Sequence, residues 1–141
     1  MIRKLAIGLA AVSMAFVAIP ANAQEEEAPR TTYRVEYIKL KDGSGQRWDE
    51  LGQKYFGPAA DAAGLERPTV HWLMAGPWDI MMIFKLPRGL ASLDTHANPE
   101  REAWYKEFVK IAGSEEAAKK ITSEVEEIEV NSVQTFSHTH P

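Results

Sequence analysis

The sequence predicts an α+β fold, a four-stranded antiparallel sheet with its helices on one face. Two observations predict it. Four stretches read as strands, the first and last alternating with period two and the middle two near-continuously apolar, and two intervening stretches repeat their apolar residues every three or four positions. Their order along the chain is β-α-β-β-α-β, and the short link between the second and third strands makes those two an antiparallel hairpin.

The first strand is TTYRVEYIKL, residues 31–40. Tyr33, Val35 and Tyr37 fall on one side of it, and Arg34, Glu36 and Ile38 on the other. KDGSGQ ends the strand with two glycines. SGQRWDELGQKYFGPAADAAG, residues 44–64, then carries Trp48, Leu51, Tyr55, Phe56, Ala59 and Ala62 as one apolar helical stripe. Gly57-Pro58 predicts a kink or break within it, and Gly64 a stop. RPTVHWLMA, residues 67–75, is the second strand, Gly76-Pro77 the turn, and WDIMMIFKL, residues 78–86, the third strand. Counting outward from that turn pairs Ala75 with Trp78, Met74 with Asp79 and His71 with Met82. PRGLASLDTHA is a loop. NPEREAWYKEFVKIAG is a helix with Asn98 as cap, Pro99 in the first turn, Glu100 at the positive dipole end and Gly113 after the last turn. Ser114 opens a further helix, SEEAAKKITSEV. EEIEVNSVQTF, with Ile128 and Val130 in phase, is the fourth strand, and residues 138–141 form a tail. This element order is the ferredoxin-like, split βαβ arrangement.

The N-terminus reads as an export signal. A basic start, MIRK, precedes an uncharged apolar run of 15 residues, 5–19, and then Pro20 and the small pair Ala21 and Ala23. A membrane span needs about 20 apolar residues, so cleavage after Ala23 is expected rather than a permanent anchor. The mature chain, residues 24–141, has 118 residues, enough for a single core, with residues 24–30 as a flexible charged leader and 31–137 as the domain. Export without any cysteine suits a periplasmic or secreted protein that forms no disulfides. Arg3 and Lys4 leave with the signal, so the mature chain carries 14 basic and 20 acidic side chains, a net charge of −6. Neither a nucleic acid nor an anionic membrane is a fitting partner for such a surface.

The central hairpin is apolar on both sides. In the third strand Ile80, Met82 and Phe84 oppose Met81 and Ile83; in the second, Val70, Trp72 and Met74 oppose His71, Leu73 and Ala75. Helices cover one face of such a sheet, so a ligand or a second copy of the chain must cover the other. A two-fold dimer with sheets face to face meets that need. With this order of elements, and with GPWD at residues 76–79 opening the apolar run IMMIF, residues 31–137 resemble the dimeric α+β barrel superfamily. That superfamily includes NIPSNAP-like, EthD-like and antibiotic-biosynthesis monooxygenase groups and the ligand-sensing domains of Lrp/AsnC regulators; this chain is similar to a secreted member. The resemblance implies a homodimer whose sheets form a barrel, with a pocket in each subunit between sheet and helices. Functions in the superfamily range from cofactor-free oxygenation and haem degradation to plain binding.

Candidate chemistry is sparse. His71, flanked by Trp72, could serve as a general base or a haem ligand, or simply bond to a backbone or tyrosine partner in the dimer interface. Asp79 is expected to bond turn amides rather than orient His71. Trp48, Tyr55, Trp72, Trp78, Trp104, Tyr105 and Phe108 could wall a pocket for a flat apolar ligand, or pack as ordinary core. Met74, Met81 and Met82 read as adaptable filling. His96 precedes the Asn98 cap, where it could gate a pocket mouth. His138 and His140 form an H-x-H pair in the expected tail, which is two ligands short of a closed metal site. No nucleophilic cysteine, G-x-S-x-G, phosphate loop, H-E-x-x-H or dinucleotide fingerprint is present. Three functions follow as expectations: an exported homodimer that binds a small apolar or aromatic molecule; a cofactor-independent oxygenase or isomerase with His71 as base; or a haem protein with His71 or His96 as axial ligand. No metal site is expected, and haem is the one cofactor considered.

Overall fold

The computed structural model of the protein describes residues 30–94, 96 and 98–140. The export signal read in residues 1–23, and the leader as far as residue 29, lie outside the described residues. Among the described residues no helix is long and apolar enough to cross a membrane.

The sheet has the order β2-β3-β1-β4, with every pairing antiparallel. β1 (Thr32–Leu40) runs down its middle beside β3 (Ile80–Leu86), while β2 (Thr69–Trp72) and β4 (Glu129–His138) are its edges. The architecture is therefore the ferredoxin-like α+β arrangement that the element order predicts. Ile38, Leu40 and Ile80 on one face of the sheet meet Trp48, Leu51, Phe108, Ala118, Ile121 and Ile128 from the helices in a single core. At its centre Ile38, Leu51, Ile80 and Phe108 are withdrawn from solvent.

The first helical region does not break at Gly57-Pro58. α1 (Gly45–Leu51) passes through a π-helical segment, Gly52–Phe56, into α2 (Gly57–Ala62). The amide of Gly57 donates to the carbonyl of Gly52, five residues back. Pro58 has no N–H to give and its ring crowds the preceding turn, so one wider turn accommodates it. α3 (Pro99–Ala112) begins where the sequence places it: the Arg101 amide donates to Asn98 Oδ1 at 2.9 Å. It ends at Gly113, whose φ of 95° is left-handed. α4 (Glu115–Ile128) is capped by Ser114, which accepts from Ala117 N at 3.1 Å.

Three local expectations are corrected. The second strand stops at Trp72 and the third starts at Ile80, so seven residues link them rather than a tight Gly-Pro turn. The Leu73 amide closes this loop on the Asp79 carbonyl at 2.8 Å. The register is accordingly His71 with Met81 and Trp72 with Ile80, one residue from that obtained by counting from a tight turn. A slip of one residue exchanges the partners' faces. Ile128 is the last residue of α4, not part of a strand. Its phase with Val130 is coincidental, because Val130 is the extra residue of a bulge where the β1–β4 register shifts between Lys39 and Leu40. Finally, β4 runs to His138, and the Thr139 amide still donates to the Thr31 carbonyl at 3.1 Å, so the expected tail continues the sheet.

Candidate functional site

Alternation assigns every sheet residue to a side once the core is known. Arg34, Glu36, Ile38 and Leu40 of β1 lie on the helix side; across from them stand Phe84 and Phe136, Met82 and Gln134, Ile80 and Ser132. Beyond Met82 the helices give way. Phe136 and Val70 are exposed on this side, and the 3₁₀ turn Gly89–Leu93, which lies against β1 and β3, adds exposed Leu90 and Leu93. That turn is braced: buried Ser92 accepts from Arg88 N through its hydroxyl at 3.1 Å and from Asn98 Nδ2 through its carbonyl at 2.9 Å. Arg88 in turn grips Glu100 with two bonds of 2.7 and 2.8 Å, and this holds the Glu100 carboxyl down at about 2.

This end of the face is apolar with few polar groups, and Arg34 is the unusual one. Its guanidinium lies over the Phe84 ring, 4.0 Å from the centroid. Its Nη2 is 3.9 Å from Glu36 Oε2, a loose contact, and its Nε is buried without an acceptor. Among the described residues no other buried side-chain nitrogen or oxygen is left without a partner. A buried donor with nothing to donate to costs about 1–3 kcal/mol, so the place calls for an acceptor. Further along the same side Glu129 accepts from Trp48 Nε1 at 2.7 Å. Burial raises its carboxyl above the ordinary range and Glu36 adds to this, against the opposing bond from Trp48.

Arg34, Glu36 and Glu129 are absent from the candidates that the sequence suggests. The signal for the first two was present, since they share the phase of Ile38 and Leu40 and so must face the helices.

The aromatic residues named from the sequence do not share one wall. Trp48 and Phe108 are core. Trp104 stacks on Phe108 at 5.0 Å and gives its Nε1 to the Phe56 carbonyl at 3.3 Å, while Tyr55 packs against the same core. Trp72 is on the helix side, edge-on to Trp48 at 5.9 Å and half exposed over a hollow of about 250 Å³ that Leu40, Asp79 and residues 41–43 help to line. Tyr105 lies at a separate hollow of about 380 Å³ between α3 and α4. Trp78 is tilted against Tyr37 at 6.5 Å, on the opposite side of the sheet.

That opposite side carries His71. It stands in a row with Met81, Tyr37 and Val133, beside Val35 and Ile83, on the face away from the helical core. Asp79 neither orients His71 nor bonds turn amides. Its carboxylate accepts from Leu40 N at 2.8 Å and Lys39 Nζ at 3.0 Å, and those two bonds, the backbone one first, hold its carboxyl low. The physical reason is the longer loop, which lays Asp79 beside β1, where its own amide donates to the Ile38 carbonyl. His96 is exposed, its amide bonded to Asp94 Oδ1 at 2.9 Å. Both His71 and His96 are exposed among the described residues.

The fold is similar to that of NIPSNAP family proteins. One such protein of unknown function from Agrobacterium tumefaciens aligns with a TM-score of 0.49 at 8% identity, covering 78% of this chain and 88% of that one. A second from the same species gives 0.47 at 10%, covering 77% and 91%. An uncharacterised NIPSNAP domain protein from Burkholderia xenovorans gives 0.47 at 10%, covering 75% and 91%. No protein-family model matches the sequence, and no curated protein matches it.

Proposed function

We propose that this protein is an exported, homodimeric small-molecule-binding domain whose ligand has an apolar or aromatic body and an acceptor group, such as a carboxylate, taken by Arg34. The carrying observation is the buried Arg34 Nε without a partner, beside the Phe84 ring and between Phe84 and Phe136 in the sheet's register. Apolar walls with one or two placed polar groups are the usual makeup of a ligand site. An acceptor there would satisfy the orphan donor and pair with a guanidinium whose carboxylate contact is weak. The dimer is supported by the apolar make-up of the opposite sheet face, where Val133 is exposed and Tyr37, Met81 and Ile83 are partly exposed. Export is supported by the composition of residues 1–23 alone.

The test is a thermal-shift and calorimetric panel of aromatic carboxylates, each set beside its neutral amide. Wild type should be stabilised by carboxylates more than by amides, and Arg34→Leu should lose that discrimination while keeping its circular dichroism. Equal stabilisation by both classes, or undiminished binding by Arg34→Leu, overturns the reading.

A further inference from the structure

The end of β4 carries the sequence His138-Thr139-His140. In extended chain, residues two apart project from the same side, so both imidazoles leave the sheet together. The extended conformation does not lapse after the last ladder pair, Thr32 with His138. The Thr139 amide donates to the Thr31 carbonyl at 3.1 Å, and the Thr31 amide donates to Thr139 Oγ1 at 3.4 Å. Two bonds to the neighbouring strand thus hold the residue between the histidines, and the pair is presented by the sheet's own register.

The rings converge. Their centroids are 4.7 Å apart, and His138 Nε2 lies 3.1 Å from His140 Nε2. Without a cation, one nitrogen must carry the proton and the other the lone pair. A divalent transition cation sits about 2.0–2.1 Å from each imidazole nitrogen it binds. At the observed separation both bonds form at once with an angle of roughly 100° at the cation, between a right-angled tetragonal site and a tetrahedral one. Both rings are exposed, so the cation has an open approach. Among the described residues no third histidine, cysteine or carboxylate joins them, which leaves the remaining positions to water or an external ligand.

We propose that His138 and His140 form a chelating surface site for a divalent transition cation, built on residues other than Arg34. Imidazole pairs suit copper, nickel and zinc, and Cu²⁺ binds such nitrogen donors most tightly. The second imidazole adds to affinity as an intramolecular contact, so losing either ring costs about tenfold or more.

The probe is Cu²⁺ titrated calorimetrically into the purified full-length chain against glycine as competitor, with electron paramagnetic resonance on the same samples. The expected result is one tightly held Cu²⁺ per chain showing coupling to two nitrogens. Affinity should fall about tenfold or more in His138→Ala and in His140→Ala, and stay at the wild-type value in His71→Ala and His96→Ala. His140 lies beyond the strand, so His140→Ala decides the matter even where His138→Ala disturbs the sheet end. Wild-type affinity in His140→Ala, an equal loss in His71→Ala or His96→Ala, or no binding in competition with glycine overturns the proposal.

Discussion

Truncating Phe108 to alanine separates two roles that an aromatic on a helix can play, core packing and ligand wall. Phe108 is 1% exposed. Its ring meets Trp104 at 5.0 Å, Phe56 at 5.2 Å and Tyr105 at 6.4 Å. Removal of a buried phenylalanine side chain costs about 3–5 kcal/mol, from lost transfer energy and the cavity left behind. The aromatic pairs push the value toward the upper end, at about 0.5–1.5 kcal/mol each beyond area. Set against a total stability of about 5–15 kcal/mol, that is a large fraction. For a domain of this size the melting temperature should fall by about 15–25 °C. Phe108→Leu, which keeps most of the volume, should lose less than about 1.5 kcal/mol. Urea unfolding followed by circular dichroism at constant m-value measures both. A loss below about 1 kcal/mol in Phe108→Ala would show that the ring lines a cavity and would return it to the ligand wall.

Other perturbations test the remaining elements. Ile83→Lys puts a charge on the sheet face away from the helices; light scattering should show a dimer for wild type and a monomer for the variant, and a wild-type monomer at micromolar concentration would refute the sheet-to-sheet pairing. Glu129 has a raised folded-state value, so its contribution to stability is fully present below the ordinary glutamate range, about 4, and is lost as pH rises through the folded value. Glu129→Gln keeps an acceptor for Trp48 without the charge, and should be more stable than wild type at pH 7, by less than about 1 kcal/mol given its partial exposure, and no more stable at pH 3; equal urea midpoints at both pH values would remove the assigned burial. Gly113→Ala forces a side chain into a left-handed helix end and should cost about 1 kcal/mol or more, read as a lower melting temperature.

Much of the fold was legible because it depends on local rules. Alternation in residues 31–40 marks β1, Asn98 and Gly113 mark the ends of α3, and the order of elements specifies the sheet. What misled was also local. Gly76-Pro77 resembles a tight turn, yet the seven-residue loop is set by main-chain bonds from Leu73 to Asp79 and from Asp79 to Ile38, the second reaching a strand residue 41 positions earlier. Ile128 fits a strand's period as well as a helix's, and α4 keeps it because its side chain completes the core beside Ile38 and Leu40. Of the candidate site, Arg34 and Glu36 could have been found from their phase with Ile38; Glu129 could not, since a bulge at Lys39/Leu40 sets its side.

The sequence by itself determined the kinds of elements, their order and the apolar make-up of both faces of the central hairpin, because apolar period and chain order are properties of neighbouring residues. It also required His71 and Trp72 to take opposite faces. Which face each takes was decided only by the tertiary structure: the core sits on the side of Ile38 and Ile80, and Trp72 pairs with Ile80, so Trp72 faces the helices and His71 the open side. Alternation is symmetric between the two faces, and only the packing of helices on one of them breaks that symmetry.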